Sequence, residues 1–149
     1  MCLTLTENSK LKVAEEDIVC YKVVLRQYSG VYRSEFYAYL YETGVLNKHP
    51  FGDITITTLP RITTYRSANF NQQVIAGYEQ VVERGFHSFT CKKDAYKYAG
   101  CVINRMFHGI SKDVVVVKCI IPKGANYIEG TYSEYPNYVS NKIICLGEI

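Results

Sequence analysis

Gly85-Phe86-His87-Ser88-Phe89-Thr90 stands where a strand-like pattern gives way to a helix-like pattern. Beyond it, apolar residues recur at helical spacing, at Ala95, Tyr98, Ala99, Val102 and Met106. This spacing predicts a helix from Cys91 to Phe107, with Thr90 as its N-cap and His108-Gly109 as its C-terminal signal. The predicted fold is organised around this passage from a strand into a packed helix.

Several other segments have the apolar, β-branched character of strands. The predicted strands are Ile18–Leu25, Val31–Tyr41, Ile54–Leu59, Val114–Ile121, Ala125–Ile128 and Lys142–Leu146. The third is short, because Pro60 argues against a long central strand. Lys22 is the one charge inside the first strand, so we expect it near a rim or facing a cleft.

The remaining segments are less regular. The stripe within residues 72–83 predicts a second helix, although Gly77 weakens it and a strand at 79–83 is the alternative. Glu129–Asn137 is predicted to be a loop, and residues 1–14 to be a leader before one domain at 15–149. The expected fold class is α+β: a curved or split, mostly antiparallel sheet with one or two packed helices.

Composition excludes several classes of protein. The net charge is +3 without a run of Lys or Arg, so the sequence does not favour nucleic-acid binding. No apolar stretch approaches the ~20 residues of a membrane span. The six cysteines form no C-x-x-C pair, which predicts reduced thiols and a cytoplasmic protein. The histidines lack metal-ligand spacing, and no phosphate-binding loop pattern is present.

The chain has 14 Tyr and no Trp. Tyr suits the walls of pockets and interfaces as well as half-exposed sheet faces. Cations and aromatic rings at strand ends would suit an anionic, base-containing ligand such as a nucleotide. The alternative is that the cations are solvated charges on strand edges, and that His87 only fixes a turn. The candidate ligand-binding residues are Tyr21, Lys22, Arg26, His87, Ser88, Thr90 and Tyr138.

Four segments resemble a family of short uncharacterised proteins common in bacteriophage and gut-bacterial genomes. They are Glu16–Val24, Gly85–Phe89, Lys118–Tyr127 and Tyr138–Ile143. The resemblance covers most of the chain except residues 43–75. It implies a phage-related origin and no established reaction.

The element order is also similar to the ADP-ribosyltransferase-like superfamily. Cys20-Tyr21-Lys22 takes the place of its first strand, Phe86–Thr90 its strand-to-helix segment and Val115–Ile121 its next strand. Lys22 stands where that superfamily has Arg or His, and Ser140-Asn141 where it has the catalytic Glu. Without that carboxylate the transition state loses its main stabiliser. The resemblance therefore implies an ADP-ribosyltransferase-like fold that binds without transfer.

The sequence predicts a non-catalytic, phage-derived binding protein that holds a nucleotide-like ligand or a host protein in a Tyr- and His-lined cleft. No cofactor is expected, with NAD or an ADP-ribose-like nucleotide as the alternative. A divergent NAD-dependent ADP-ribosyltransferase or NAD-cleaving enzyme is the second hypothesis, with His87 and Glu148 or Glu134 in the active site. The third is a structural or oligomeric interaction module joined through Tyr-rich strand edges.

Overall fold

A computed structural model describes residues 3–6, 9–34, 39–50, 52–66, 68, 70–107, 113–132 and 134–149. These ranges contain thirteen strands and one helix. The strands before the helix are β1 Leu3–Thr4, β2 Lys12–Val13, β3 Ile18–Tyr28, β4 Val31–Ser34, β5 Leu40–Glu42, β6 Leu46–Lys48, β7 Thr55–Arg66, β8 Asn71–Arg84 and β9 Phe86–Phe89. The helix and the strands after it are α1 Lys92–Phe107, β10 Val114–Ile121, β11 Asn126–Tyr132, β12 Tyr135–Ser140 and β13 Lys142–Glu148.

The strands join into one sheet, in the order β6-β13-β10-β3-β9-β12-β11-β1-β8-β7. The named strands pair antiparallel. Strands β9 and β4 both pair with the edge of β3 that faces away from β10, β9 near Tyr21 and β4 from Val24 to Tyr28. The predicted mostly antiparallel sheet with one packed helix is therefore confirmed. The predicted α+β class is corrected to mainly β, because the described residues form thirteen strands and a single helix. An ADP-ribosyltransferase-like fold is not supported.

Strands β3 and β10 form the centre of the molecule, paired from Ile18↔Ile121 to Leu25↔Val114. Both are covered on two faces, which accounts for their continuous apolar sequences. One face carries Cys20 and Val24 and packs into a core with residues of β4, β5, β9 and β13. The other face carries Val23 and packs against the apolar side of α1. Alternation of side chains along β3 places Lys22 on the first of these faces.

The helix prediction for residues 72–83 is wrong, because this segment is part of β8. Its side chains fit a helical stripe, but β8 instead pairs with β7 from Thr55↔Arg84 to Arg66↔Asn71. Gly77 has a φ of 138°, which no helix contains. The rejected alternative, a strand at 79–83, lies inside β8. Long-range pairing has overridden a weak local preference.

The loop prediction for Glu129–Asn137 is also wrong, since β11 and β12 form a hairpin closed by Tyr132↔Tyr135. Gly130 is typical of a loop, but here it lies in β11, where β1 packs too closely for a side chain. A Cβ there would lie 2.5 Å from the main-chain oxygen of Thr4 and 2.8 Å from the Leu3 side chain. The glycine therefore lets β1 cross close to β11.

Two short strands lie within the predicted leader 1–14. Leu3 is fully buried with Val82, Ile128 and Val139, and β2 pairs with β11. The predicted strand Val31–Tyr41 corresponds to β4 and β5, and its residues 35–38 lie outside the described residues. The predicted helix end at 108–109 lies outside them too. No helix in the described ranges is long and apolar enough to cross a membrane.

Candidate functional site

Lys22 is buried in the core and does not lie at a rim, with 8% of its surface exposed. Its Nζ donates a hydrogen bond to the main-chain oxygen of His87 and lies 5.3 Å from the centroid of the Tyr41 ring. A buried ammonium is tolerated only where such partners replace water. The side chain therefore ties β3 to β9 from inside the core, and the expectation of a cleft-facing Lys22 is corrected.

His87 is a neutral histidine. Its Nδ1 lies 3.2 Å from the main-chain oxygen of Gly85, and its Nε2 is buried without a hydrogen-bond partner among the described residues. Burial, and then the nearby Lys22 charge, lower the pKa of the imidazole to about 3. A group with such a pKa binds protons too weakly to act as a general base near neutral pH.

The structure predicts that His87 makes the stability of the protein depend on pH. The folded pKa lies below the ordinary value of about 6.5, so unfolding takes up a proton and stability falls as the pH drops through 6.5 toward 3. Between pH 7 and pH 5 the loss is about 2 kcal/mol. Urea unfolding of wild type and His87→Gln at both pH values measures it. From pH 7 to pH 5 the free energy of unfolding of the variant should fall by about 2 kcal/mol less than that of wild type. Equal losses in the two proteins would contradict a strongly lowered pKa for His87.

Ser88 is also buried, with 1% of its surface exposed. It lies beside Cys20, whose pKa burial raises to about 11. Ser88 pairs across the sheet with Tyr138, which is partly buried and meets the Tyr127 ring edge-on at 5.9 Å. Neither a buried hydroxyl nor a protonated thiol is placed to act as a nucleophile.

Thr90 and Tyr138 share a shallow groove of about 420 Å³. The helix begins at Lys92, so Cys91, and not Thr90, occupies the N-cap position. Thr90 instead donates its main-chain N–H to the oxygen of Pro136. The other described residues that line the groove are Thr6, Ser9, Glu129, Gly130, Thr131, Pro136 and Asn137, and none of these described residues is a cation.

Tyr21 and Arg26 lie elsewhere. Tyr21 is partly buried against the α1 side of the sheet. Arg26 is exposed, and its Nε donates to Glu148 Oε1 at 2.7 Å, with a second guanidinium nitrogen 2.6 Å from the same oxygen. Arg26 and Glu148 border a separate groove of about 390 Å³ beside Tyr96. Of the two carboxylates that the transferase hypothesis named, Glu148 is thus already engaged by an arginine, while the role of Glu134 stays a prediction.

The seven candidate residues therefore do not open onto one cleft. Lys22, His87 and Ser88 meet inside the protein, whereas Thr90 and Tyr138 line one groove and Arg26 lines another. Lys22 reaches His87 through a hydrogen bond to its main-chain oxygen. This arrangement stabilises the join between β3 and β9, and leaves the ligand-binding role of these residues a prediction.

No group of three or more His, Cys, Asp or Glu side chains within the described residues could hold a metal ion. Five cysteines are described, and all are free thiols. Cys20, Cys119 and Cys145 are buried, whereas Cys91 and Cys101 are exposed. Cys2 lies outside the described residues.

The feature that the sequence reasoning missed is a long two-stranded ribbon. Strand β1 pairs with β8 at Val81 and Val82, and the main-chain N–H of Leu5, directly after β1, donates to the main-chain oxygen of Gln80. Beyond that point β7 and β8 continue as a pair from Thr58↔Gln80 to Arg66↔Asn71, and no other described strand joins them. We call residues 58–66 and 71–80 the ribbon. The strand alternative at 79–83 was the one signal that pointed to it.

One face of the ribbon is apolar. Side chains alternate along β7, so Pro60 and Ile62 point to the same side. Their cross-strand partners are Tyr78 and Ile75, and a register shift between Arg61 and Ile62 brings these two residues, three apart in β8, to that same side. We call these four residues the apolar ribbon face. Ile62 is 61% exposed, Ile75 54% and Tyr78 67%. Contiguous exposed apolar side chains of this kind mark interaction sites more often than isolated ones do.

Comparison with protein-family models, curated proteins and solved structures found no match to this chain.

Proposed function

We propose that this protein is a non-catalytic interaction module that binds a polypeptide partner along its ribbon. The observation that carries this proposal is the apolar ribbon face, where Ile62, Ile75 and Tyr78 are each more than half exposed. Of the three functions that the sequence suggested, this corresponds to the interaction module joined through Tyr-rich strands.

The energetics of a ribbon support the proposal. An isolated two-stranded hairpin in water is at best marginally stable, because it has one layer and buries little apolar surface. This ribbon buries neither face against the described part of the body, and most of its residues are exposed. A partner that covers the apolar face would supply the missing second layer. The ribbon is therefore best explained as one half of an interface.

The outer backbone edge is a second attractive feature. β7 is the last strand of the sheet order, so one row of its main-chain groups faces away from β8. Pro60 interrupts that row because it has no N–H. Between Thr55 and Tyr78 the sequence carries only two charged residues, Arg61 and Arg66. Edge pairing is thus impeded at its centre, while the apolar face remains well suited to side-chain packing.

The cleft-binding alternatives have less support. A nucleotide phosphate needs an accessible cation, yet Lys22 is buried and Arg26 is ion-paired with Glu148. A nucleotide-like ligand, NAD or ADP-ribose, and an ADP-ribosyltransferase reaction therefore stay predictions of the sequence alone. The phage-related origin and the host protein as partner stay predictions as well, and the ribbon is compatible with both.

A photo-crosslinking amino acid at position 75 tests the proposal in the cells that express the protein. We expect a discrete protein adduct, because Ile75 lies in the apolar ribbon face. The same crosslinker at position 97, an exposed lysine of α1, is the control. Mass spectrometry of the adduct identifies the partner. The same unselective products from both positions, or no product from either, would contradict the proposed function.

A further inference from the structure

We infer that the partner of the ribbon is a second copy of this chain, which receives the ribbon in a groove beside β2. This inference rests on the proposed function and names its partner. The groove has a volume of about 850 Å³ and combines exposed apolar side chains with carboxylates. Its lining residues are Lys12, Val13, Ala14, Glu15, Glu16, Asp17, Ile18, Val19 and Tyr127.

The groove is preformed. The main-chain N–H of Ala14 donates to Ala125, and the main-chain oxygen of Ala14 accepts from Gly124, both at 2.8 Å. Oδ1 of Asp17 accepts a hydrogen bond from the main-chain N–H of Lys123, also at 2.8 Å. These bonds hold the segment before β3 against the turn that follows β10. A partner would therefore bind without first ordering the groove.

Apolar surface is exposed in the groove as well as on the ribbon. Val13 is 59% exposed and Val19 44%. These side chains would supply a second layer for Ile62, Ile75 and Tyr78. Burying apolar surface from both sides is the main favourable term in association.

The charges of the two surfaces are complementary. Glu15, Glu16 and Asp17 give the groove three negative charges against the one positive charge of Lys12. The ribbon carries Arg61 and Arg66, and Arg61 lies 3.5 Å from Glu79 within the ribbon itself. Arg66 lies at the far end, on the same side as Ile62 by alternation. Arg66 thus places a positive charge on the side of the ribbon that carries Ile62, opposite in sign to the acidic groove of the same chain, and this favours binding between copies.

The area is sufficient when two contacts form. From Thr58↔Gln80 to Arg66↔Asn71 the ribbon is about 27 Å long, at about 3.4 Å per residue, and about 10 Å wide. One face then covers about 300 Å² and buries about as much of its partner. Two reciprocal contacts bury about 1,200 Å², which is the lower bound for a stable interface. A single contact buries only half as much, so we expect each copy both to give and to receive a ribbon.

A ribbon placed in the groove of another copy is a heterologous contact. Two copies that exchange ribbons close as a dimer with twofold symmetry, and otherwise the contact propagates into a ring or a filament. Both outcomes require the same two surfaces of the same chain. The pairing of ribbon and groove is therefore common to both outcomes, and the way in which it closes sets the size of the assembly.

Charge reversal on the two surfaces tests the pairing. One variant combines Thr64→Glu with Arg66→Glu and makes the end of the ribbon acidic; Arg61 is kept because it pairs with Glu79. The other combines Glu15→Lys with Glu16→Lys and makes the groove basic. All four positions are exposed, and circular dichroism confirms that each variant folds. Sedimentation velocity at low salt measures assembly of the full-length chain.

We expect each variant alone to assemble about tenfold more weakly than wild type. The ribbon of one copy and the groove of the next then carry charge of the same sign and repel each other. An equimolar mixture should return to within about twofold of wild type, because each ribbon meets an opposite charge on the other variant. Unchanged assembly of either variant, or a mixture as weak as its components, would overturn the inference.

Failure of this inference is separable from failure of the proposed function. If wild type stays monomeric while the crosslink at position 75 captures a different protein, the second copy is the wrong partner and the ribbon still binds. If the chain assembles while position 75 gives no adduct, the self-contact lies elsewhere and the ribbon proposal fails with it.

Discussion

Replacing Ile62, Ile75 and Tyr78 together with threonine is expected to weaken ribbon binding about 100-fold while the fold is retained. Threonine keeps the β preference of the strands, so the change removes apolar surface and leaves the backbone pairing. Each apolar anchor at an interface centre contributes about 1 kcal/mol or more, and about 3 kcal/mol corresponds to about 100-fold. Sedimentation velocity, or titration with the crosslinked partner, gives the half-saturating concentration.

The matched control lies on the opposite face of the same ribbon. Tyr65→Thr with Val74→Thr removes apolar side chains that point away from Ile62 and Ile75 in the cross-strand register. We expect this variant to bind within about threefold of wild type, because rim and non-contact substitutions have small effects. Equal weakening by both sets would show that ribbon stability, and not its apolar face, controls binding.

Gly85→Ala is expected to destabilise the protein by about 3 kcal/mol. Gly85 joins β8 to β9 with a φ of 141°, which L side chains rarely adopt. A Cβ at this position would overlap Cγ1 of the fully buried Val139 and lie 3.3 Å from the main-chain oxygen of Ser140. Backbone strain and overpacking therefore act together. Urea unfolding monitored by circular dichroism measures the loss.

Gly147→Ala separates the two causes of that loss. Gly147 has a φ of 120°, and its Cβ would meet nothing within 4 Å. This control keeps the backbone strain without the steric overlap, so we expect a loss of about 1 kcal/mol. If both substitutions lower the free energy of unfolding equally, overlap with Val139 contributes nothing. That result would contradict the close packing of Gly85 against Val139 of β12.

The centre of the fold could be predicted from local sequence. Ile18–Leu25 and Val114–Ile121 are continuous apolar segments because both strands are covered on two faces. The helix at Lys92–Phe107 follows from apolar spacing and from a first turn that carries Asp94. These segments owe their structure to patterns within a few residues, which sequence reasoning sees directly.

The ribbon could not be predicted with the same reasoning. Val74, Ile75, Tyr78, Val81 and Val82 satisfy a helical stripe as well as a strand, and the deciding interaction is pairing with β7. That pairing also shows why Pro60 is tolerated inside a twelve-residue strand: β7 lies at the edge of the sheet. Register and edge position are properties of the whole sheet.

The candidate cleft failed to assemble for a similar reason. Lys22 is buried because β4, β5, β9 and β13 cover its side of β3. Arg26 is engaged by Glu148, which lies 122 residues away in the chain. No local pattern shows either contact. Sequence reasoning identified polar residues in the central strands but could not place them relative to one another.

Crosslinking from two adjacent positions of β8 tests the ribbon most directly. Ile75 lies in the apolar ribbon face, whereas Val74 pairs with Thr63 and points to the other side. The two positions are neighbours in the same strand and both are exposed, so the main difference between them is the face that they report. We predict a discrete protein adduct from position 75 and at most a weak one from position 74. Equal adducts from both positions, or none from position 75, would contradict the ribbon as the binding surface.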